Sequence, residues 1–125
     1  MANKALIAIV DDDQSIRVAT ATLMRSFGFA ARGFASAEEF LQSPELGETA
    51  CVISDVHMPG IGGLELQSRL AATRRRTPVI FITGFPDPRI QERALAGGAI
   101  CFLTKPFDGD TLIQCVDRAL NRSNS

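Results

Sequence analysis

Five short apolar runs recur along this 125-residue chain, and a segment with helical spacing of apolar residues follows each of them. Strands that are covered on both faces have continuous apolar sequences, so each run predicts a buried strand. Strict alternation of strand and helix predicts an α/β fold, with a doubly wound five-stranded parallel sheet and right-handed crossovers. The runs occupy residues 5–10, 29–34, 50–54, 78–82 and 99–103, and the second is the weakest.

Capping residues and helix breakers mark the helices between these runs. Asp13 is an N-cap candidate for the first helix, and Gly28 is a C-cap candidate. Ser36 and Glu39 have the spacing of a capping box, and Asp108 can cap the last helix. A chain of this length forms one domain. The predicted helices lie at residues 14–27, 36–41, 64–75, 88–96 and 108–120, and residues 121–125 are a polar tail.

Polar residues follow four of the five strands. The carboxyl ends of parallel strands meet at one edge of the sheet, where open α/β sheets place their ligands. Pro59 and Gly60 force a loop just after the third strand. We expect five side chains to converge at this edge: Asp11 and Asp12 after strand one, Asp55 after strand three, Thr83 after strand four and Lys105 after strand five.

Three clustered carboxylates repel one another, so at neutral pH they need a cation or must take up protons. Lys105 offsets one charge, and the excess suits Mg²⁺, or Mn²⁺ in its place, bound through oxygen atoms. A metal beside a carboxylate, an ammonium and a hydroxyl predicts phosphoryl transfer, with Asp55 as the nucleophile. Taken singly, Asp55 would fit a turn residue, His57 a surface side chain and Phe102 ordinary core packing.

Four segments of the sequence together resemble a known family. They are residues 9–13 (IVDDD), 55–60 (DVHMPG), 82–84 (ITG) and 105–107 (KPF). In order and spacing they resemble the response-regulator receiver domain of two-component signalling, over essentially the whole chain. Residues 36–41 (SAEEFL) and the ITG segment look most like the FixJ-like branch. The resemblance implies a flavodoxin-like topology with strand order 2-1-3-4-5.

The resemblance also implies roles for the residues at the sheet edge. Asp55 receives a phosphoryl group from a sensor histidine kinase. Asp12 binds Mg²⁺ directly and Asp11 acts through water, while Asp55 and the backbone carbonyl of His57 complete the protein ligands. Lys105 holds a phosphoryl oxygen.

Further roles concern the response to phosphorylation. Thr83 and Gly84 bind the phosphoryl group, and Phe102 turns inward behind Thr83. Pro106 follows a cis peptide bond that shapes the lysine loop. His57 and Phe85 occupy positions that tune how easily water reaches the acyl phosphate, so two rings there predict partial shielding.

The implied function is a conformational switch with no enzyme activity beyond its own phosphorylation and dephosphorylation. Its output is expected to be transcriptional, through a DNA-binding domain that is separate or missing from this chain. A homodimer through helix 4, strand 5 and helix 5 is the expected assembly. Two alternatives stay open: a phosphorelay carrier, and a haloacid-dehalogenase-like phosphatase whose first motif would be Asp11 and Asp13.

The charge balance and the cysteine content limit which binding partners and which cellular compartment the sequence is compatible with. Thirteen basic and 14 acidic residues give no general attraction to nucleic acid or to an anionic membrane, and no run is long enough to span a bilayer. Residues 74–76, three arginines, predict a solvated helix end. Three cysteines without CxxC spacing predict reduced, packed thiols in a cytoplasmic protein, and no signal peptide is evident.

Overall fold

The computed structural model describes residues 4–73 and 76–123, which form five strands and five α-helices in strict alternation. The strands are β1 (Leu6–Val10), β2 (Ala30–Phe34), β3 (Thr49–Asp55), β4 (Val79–Thr83) and β5 (Cys101–Thr104). The helices are α1 (Gln14–Ser26), α2 (Ala37–Leu41), α3 (Gly63–Ala71), α4 (Pro88–Ala96) and α5 (Gly109–Ser123), with a 3₁₀ turn at Leu46–Glu48.

All five strands belong to one parallel sheet with the order β2-β1-β3-β4-β5, which confirms the predicted fold class and topology. The register places Val10 beside Ser54, Asp55 beside Ile82, and Thr83 beside Thr104. The strand ends are therefore level to within about one residue. This alignment brings the polar residues after β1, β3, β4 and β5 to the same edge.

Two apolar cores, one on each face of the sheet, explain why the strands lack alternation of polar and apolar residues. Ala8 and Val10 pack with α2, α3 and α4 on one face, whereas Ile7 and Ile9 pack with α1 and α5 on the other. Burying each large aliphatic side chain contributes about 1.5–3 kcal/mol. A polar residue inside β1 would therefore forfeit part of one core, and the first polar position is the strand end.

The helix caps follow the sequence closely at the N-terminal ends. The Asp13 side chain accepts hydrogen bonds from the backbone N–H groups of Ser15 and Ile16, which begins α1. Ser36 Oγ accepts from the N–H of Glu39 at the start of α2. Gly28 has a φ of 93°, as a left-handed residue after a helix requires.

Two predicted helix ends were wrong. α3 ends at Ala71, not at residue 75, and the Thr73 hydroxyl donates to the backbone oxygen of Leu70 just beyond that end. The predicted arginine helix end falls largely on Arg74 and Arg75, which lie outside the described residues. α5 continues through Ser123, so residues 121–123 belong to the helix and not to a separate polar tail, and residues 124–125 are not described.

The prediction of three reduced thiols was also wrong. Cys101 at the start of β5 and Cys115 in α5 form a disulfide, with their Cα atoms 6.2 Å apart. An odd number of cysteines excludes complete pairing but not one pair, and the packing of α5 on β5 brings these two within bonding range. Cys51 stays a free thiol, buried in β3, where burial raises its pKa to about 12.

Within the described ranges, none of the helices combines the length and the apolar character that crossing a membrane requires.

Candidate functional site

Asp55 is the last residue of β3, and its carboxylate is held by the loop that follows. Its Oδ1 accepts a hydrogen bond of 3.2 Å from the backbone N–H of His57. The N–H of Gly63 donates to the backbone oxygen of Val56 at 2.9 Å, which closes the loop onto the start of α3. The Asp55 side chain is almost buried, and its other oxygen, Oδ2, lies 3.5 Å from Lys105 Nζ. One carboxylate oxygen is thus fixed by the backbone, and the other is paired with a cation.

Asp11 follows β1 and is fully buried. Its Oδ1 accepts from the N–H of Asp13 at 2.9 Å, while Oδ2 has no hydrogen-bond partner and lies 3.6 Å from Lys105 Nζ. Burial raises the pKa of the Asp11 carboxyl, and the negative charges of Asp55 and Asp12 add to this effect. The hydrogen bond from Asp13 and the Lys105 charge oppose it. The positive charge of Lys105 therefore does not fully offset the cost of burying the ionised Asp11 carboxylate.

Three carboxylates come together at this edge, as the sequence predicts. Asp11, Asp12 and Asp55 each offer an oxygen, and these oxygens lie within 4.8 Å of one another. Asp12 is exposed while the other two are buried, so the cluster opens to solvent on one side. A hard divalent cation fits this donor set, because all the side-chain donors are oxygens and the buried Asp11 Oδ2 lacks a hydrogen bond.

Lys105 joins the carboxylate cluster to the end of β4. The backbone N–H of Lys105 donates to the backbone oxygen of Thr83 at 2.8 Å, and the peptide bond from Lys105 to Pro106 is cis, as expected. Thr83 is buried, and its hydroxyl oxygen accepts from the N–H of Phe85 at 3.0 Å. Gly84 lies between Thr83 and Phe85 and is exposed, and a Cβ at this position would lie 4.0 Å from Lys105 Cδ, an ordinary van der Waals contact.

The aromatic residues of the site lie at two depths. The rings of His57 and Phe85 meet edge to face, with centroids 6.3 Å apart, and both side chains are exposed. Phe102 is partly buried in β5, with its ring centroid 6.3 Å from that of Phe81. Phe102 packs on the face of the sheet that carries α2, α3 and α4.

Two charged residues support the site, and sequence reasoning missed both roles. Arg17 Nη1 donates to the backbone oxygen of Asp11 at 2.7 Å, and its aliphatic stem lies over Gly33, where a Cβ would be 2.8 Å from Arg17 Cγ. Glu38 in α2 accepts a hydrogen bond of 3.3 Å from the backbone N–H of Ile61, in the loop after Asp55. These contacts join different segments of the chain, so no local sequence motif predicts them. Only the glycine at position 33 indicates that another side chain approaches the backbone closely there.

The model of the response regulator receiver domain family matches residues 7–117. The chain belongs to this family. It is thus a receiver domain of two-component signalling, which confirms the resemblance and decides against the haloacid-dehalogenase-like phosphatase. Receiver domains of response regulators are in general not catalytic enzymes.

Relatives by sequence support the FixJ-like branch. Nodulation protein W of Bradyrhizobium diazoefficiens is 42% identical over 119 residues, which cover 95% of this chain and 52% of that protein. The transcriptional regulatory protein FixJ of the same organism is 35% identical, over 98% of this chain and 60% of that protein. The receiver domain thus spans about half the length of the first of these relatives and three fifths of the second.

Solved structures agree with the fold. The response regulator StyR superposes with a TM-score of 0.88 at 36% identity, covering 98% of this chain and 62% of that one. FixJ-N gives a TM-score of 0.84 at 30% identity and covers 96% of both chains.

Proposed function

We propose that this receiver domain accepts a phosphoryl group on Asp55 from a sensor histidine kinase and thereby changes conformation. The observation that carries the proposal is the meeting of Asp11, Asp12, Asp55 and Lys105 at one sheet edge. A structural ion pair would need one acid and one base. Three acids around one ammonium leave a net negative site that is suited to a divalent cation and an incoming phosphoryl group.

In the transfer, an Asp55 carboxylate oxygen attacks phosphorus and the bond to the kinase imidazole nitrogen breaks. The electron pair of that bond stays on the nitrogen, so the kinase histidine is released as neutral imidazole once protons equilibrate. Bound Mg²⁺, or Mn²⁺, would neutralise the phosphoryl oxygens. Asp11, Asp12, Asp55 and the backbone carbonyl of His57 would hold it, with Asp11 acting through water. Lys105 places its ammonium beside Asp55 Oδ2 and would pair with a phosphoryl oxygen.

Thr83 and Gly84 would report the phosphorylated state. The phosphoryl group brings a charge of about −1.5 to −2 and new acceptor oxygens. The Thr83 hydroxyl can donate to one of these, since it now only accepts, from the N–H of Phe85. Phe102 would then turn inward behind Thr83. Moving the active state from about 1% to about 99% takes about 5.5 kcal/mol, which several charge-assisted contacts together can supply.

His57 and Phe85 would slow hydrolysis of the acyl phosphate. Their rings meet between the loops that follow β3 and β4; His57 is exposed and Phe85 is 77% exposed, so neither ring is needed for the core. We expect His57→Ala and Phe85→Ala to dephosphorylate faster than the parent. Equal or slower dephosphorylation in both variants would contradict the shielding role.

The test of the acceptor uses acetyl phosphate as the donor, with and without Mg²⁺. Intact-mass analysis should show a phosphoryl adduct only with Mg²⁺, and Asp55→Asn should abolish it. Asp110→Asn, an exposed acid in the first turn of α5, serves as the matched control and should keep the adduct. An adduct that survives in Asp55→Asn would refute Asp55 as the acceptor. So would a phosphoryl group that is mapped to Asp11 in the parent and is lost in Asp11→Asn.

The output and the setting are also part of the proposal, and membership of the family supports them. The switch would act in the cytoplasm on a transcriptional output, through a DNA-binding domain outside this chain, as the name of the relative FixJ suggests. A homodimer through α4, β5 and α5 would be the active assembly, whereas a phosphorelay carrier would stay monomeric. Size-exclusion chromatography with beryllofluoride and Mg²⁺ distinguishes the two: a dimer supports the switch.

A further inference from the structure

A pair of cysteines lies away from the carboxylate cluster and takes no part in the chemistry described above. Cys101 begins β5 and Cys115 lies in α5, 14 positions later, and their sulfur atoms are bonded. Cys51 sits in β3, fully buried, and keeps its thiol. The sheet and α5 thus hold two of the three cysteines at bonding distance without involving the third.

The two bonded sulfurs have different surroundings. Cys115 is 3% exposed and belongs to the core between the sheet and helices α1 and α5. Cys101 is partly exposed, and Arg118 Nη1 lies 3.6 Å from its Sγ. A guanidinium beside a thiol favours the thiolate, which is the reactive form in disulfide exchange. In the reduced pair, Cys101 is therefore the accessible nucleophile and Cys115 the buried partner.

We propose that Cys101 and Cys115 form a reversible thiol–disulfide site whose oxidant is a low-molecular-weight disulfide such as glutathione disulfide. The Cys101 thiolate attacks one sulfur of the oxidant, forming a mixed disulfide and releasing the other half as a thiolate. The Cys115 thiolate then attacks the Cys101 sulfur and releases the second half. The two protons of the cysteine thiols go to the two released thiolates, and the two electrons that the pair loses reduce the oxidant.

The disulfide joins β5 to α5, two elements of the face that the family resemblance implies as a dimer interface. Successive residues of β5 point to opposite sides: Cys101 packs toward α5, and Phe102 packs toward the core with Phe81. Oxidation fixes the start of β5 to α5 directly next to Phe102. The chemistry of the cysteine pair is independent of the phosphorylation switch, whereas any effect on Phe102 rests on the proposed function.

The first experiment equilibrates the 125-residue chain in buffers of varied reduced and oxidised glutathione, quenches with acid, unfolds and alkylates it, and maps the cysteines by mass spectrometry. Three alkylated cysteines are expected under reducing conditions. Under oxidising conditions only Cys51 should be alkylated, with a linked peptide containing Cys101 and Cys115, and dithiothreitol should reverse the change. No linked peptide at any buffer ratio, or a link that includes Cys51, would overturn the proposal.

The second experiment tests the order of attack. Cys115→Ser should accumulate a glutathione adduct on Cys101, whereas Cys101→Ser should form an adduct on Cys115 far more slowly. Removing the Arg118 guanidinium lowers the fraction of Cys101 present as thiolate, and the higher intrinsic reactivity of a more basic thiolate offsets this loss only in part. Arg118→Gln should therefore slow adduct formation on Cys101 by about threefold.

Arg69→Gln is the matched control for Arg118→Gln, because Arg69 pairs with Glu65 on α3 and should leave the rate unchanged. Equal adduct rates on both cysteines, or equal slowing by both arginine variants, would refute the assigned roles. Acetyl phosphate labelling of Asp55, run in parallel, reports on the proposed function separately, so the two proposals can fail independently.

Discussion

Lys105 is the cation on which the carboxylate cluster depends when no divalent ion is bound. Its Nζ lies 3.5 Å from Asp55 Oδ2 and 3.6 Å from Asp11 Oδ2, and its side chain is 22% exposed. At an effective dielectric constant of about 20, each pair attracts by about 4–5 kcal/mol before desolvation is counted. Removing one partner of a buried ion pair costs about 3–5 kcal/mol net, and the partial exposure of Lys105 favours the lower bound.

We therefore predict that Lys105→Met destabilises the chain by about 3 kcal/mol at neutral pH in the presence of EDTA. With an unfolding entropy of about 2.1 cal/mol/K per residue, 125 residues give about 0.26 kcal/mol/K, so the Tm should fall by about 11 °C. Differential scanning calorimetry measures this directly. Lys4→Met is the matched control, because Lys4 is exposed and is the other lysine of the sequence.

Two further measurements test whether Lys105 stabilises the chain through its charge. Saturating Mg²⁺ should raise the Tm of Lys105→Met more than that of the parent, since the cation then replaces the lost ammonium. In an Asp11→Asn background, Lys105→Met should lose about half as much stability, because one of its two pairs is already gone. An equal loss with and without Mg²⁺, or an equal loss in the Asp11→Asn background, would show that Lys105 acts through packing and not through its charge.

Three other outcomes follow from the same structure. Asp11→Asn should stabilise the chain in EDTA at neutral pH: the folded pKa is raised, so the ionised carboxyl costs stability above that pKa. This gain should vanish as the pH falls below the unfolded pKa, and urea titrations across that range would check it. Gly63→Ala should cost about 2–3 kcal/mol, because its Cβ would lie 2.6 Å from the backbone oxygen of Asp55 and 2.8 Å from the Phe81 ring, and chemical unfolding measures the loss. Cys51, whose pKa burial raises to about 12, should resist iodoacetamide at neutral pH in the folded chain and react in urea; rapid native labelling would contradict its burial.

Most of the fold could be predicted from short-range patterns in the sequence. Continuous apolar runs identify strands that are buried on both faces, and the N-caps Asp13 and Ser36 begin their helices where the sequence predicts. The C-terminal ends were harder, because no strong stop follows Ala71 or Leu120, and tertiary packing decides where such helices end.

The site was predictable because the topology converts sequence order into spatial order. Once the strands are parallel, their carboxyl ends must share an edge, so Asp11, Asp55 and Lys105 could be placed together from the sequence. Their unequal environments could not: the full burial of Asp11 and its raised pKa depend on packing around the end of β1. The hydrogen bonds of Arg17 to the Asp11 backbone and of Glu38 to the Ile61 backbone could not be predicted either, since each joins a helix to a loop outside it.

The sequence by itself determined the alternation of strand and helix, the strand-end residues and the family, because apolar periodicity and turn residues act over a few neighbours. Only the tertiary structure decided which cysteines meet. Cys101 and Cys115 lie 14 positions apart with no motif between them, and they bond because α5 packs against the sheet next to β5. Pairing over such a distance depends on how two elements dock, and local sequence carries no record of that geometry.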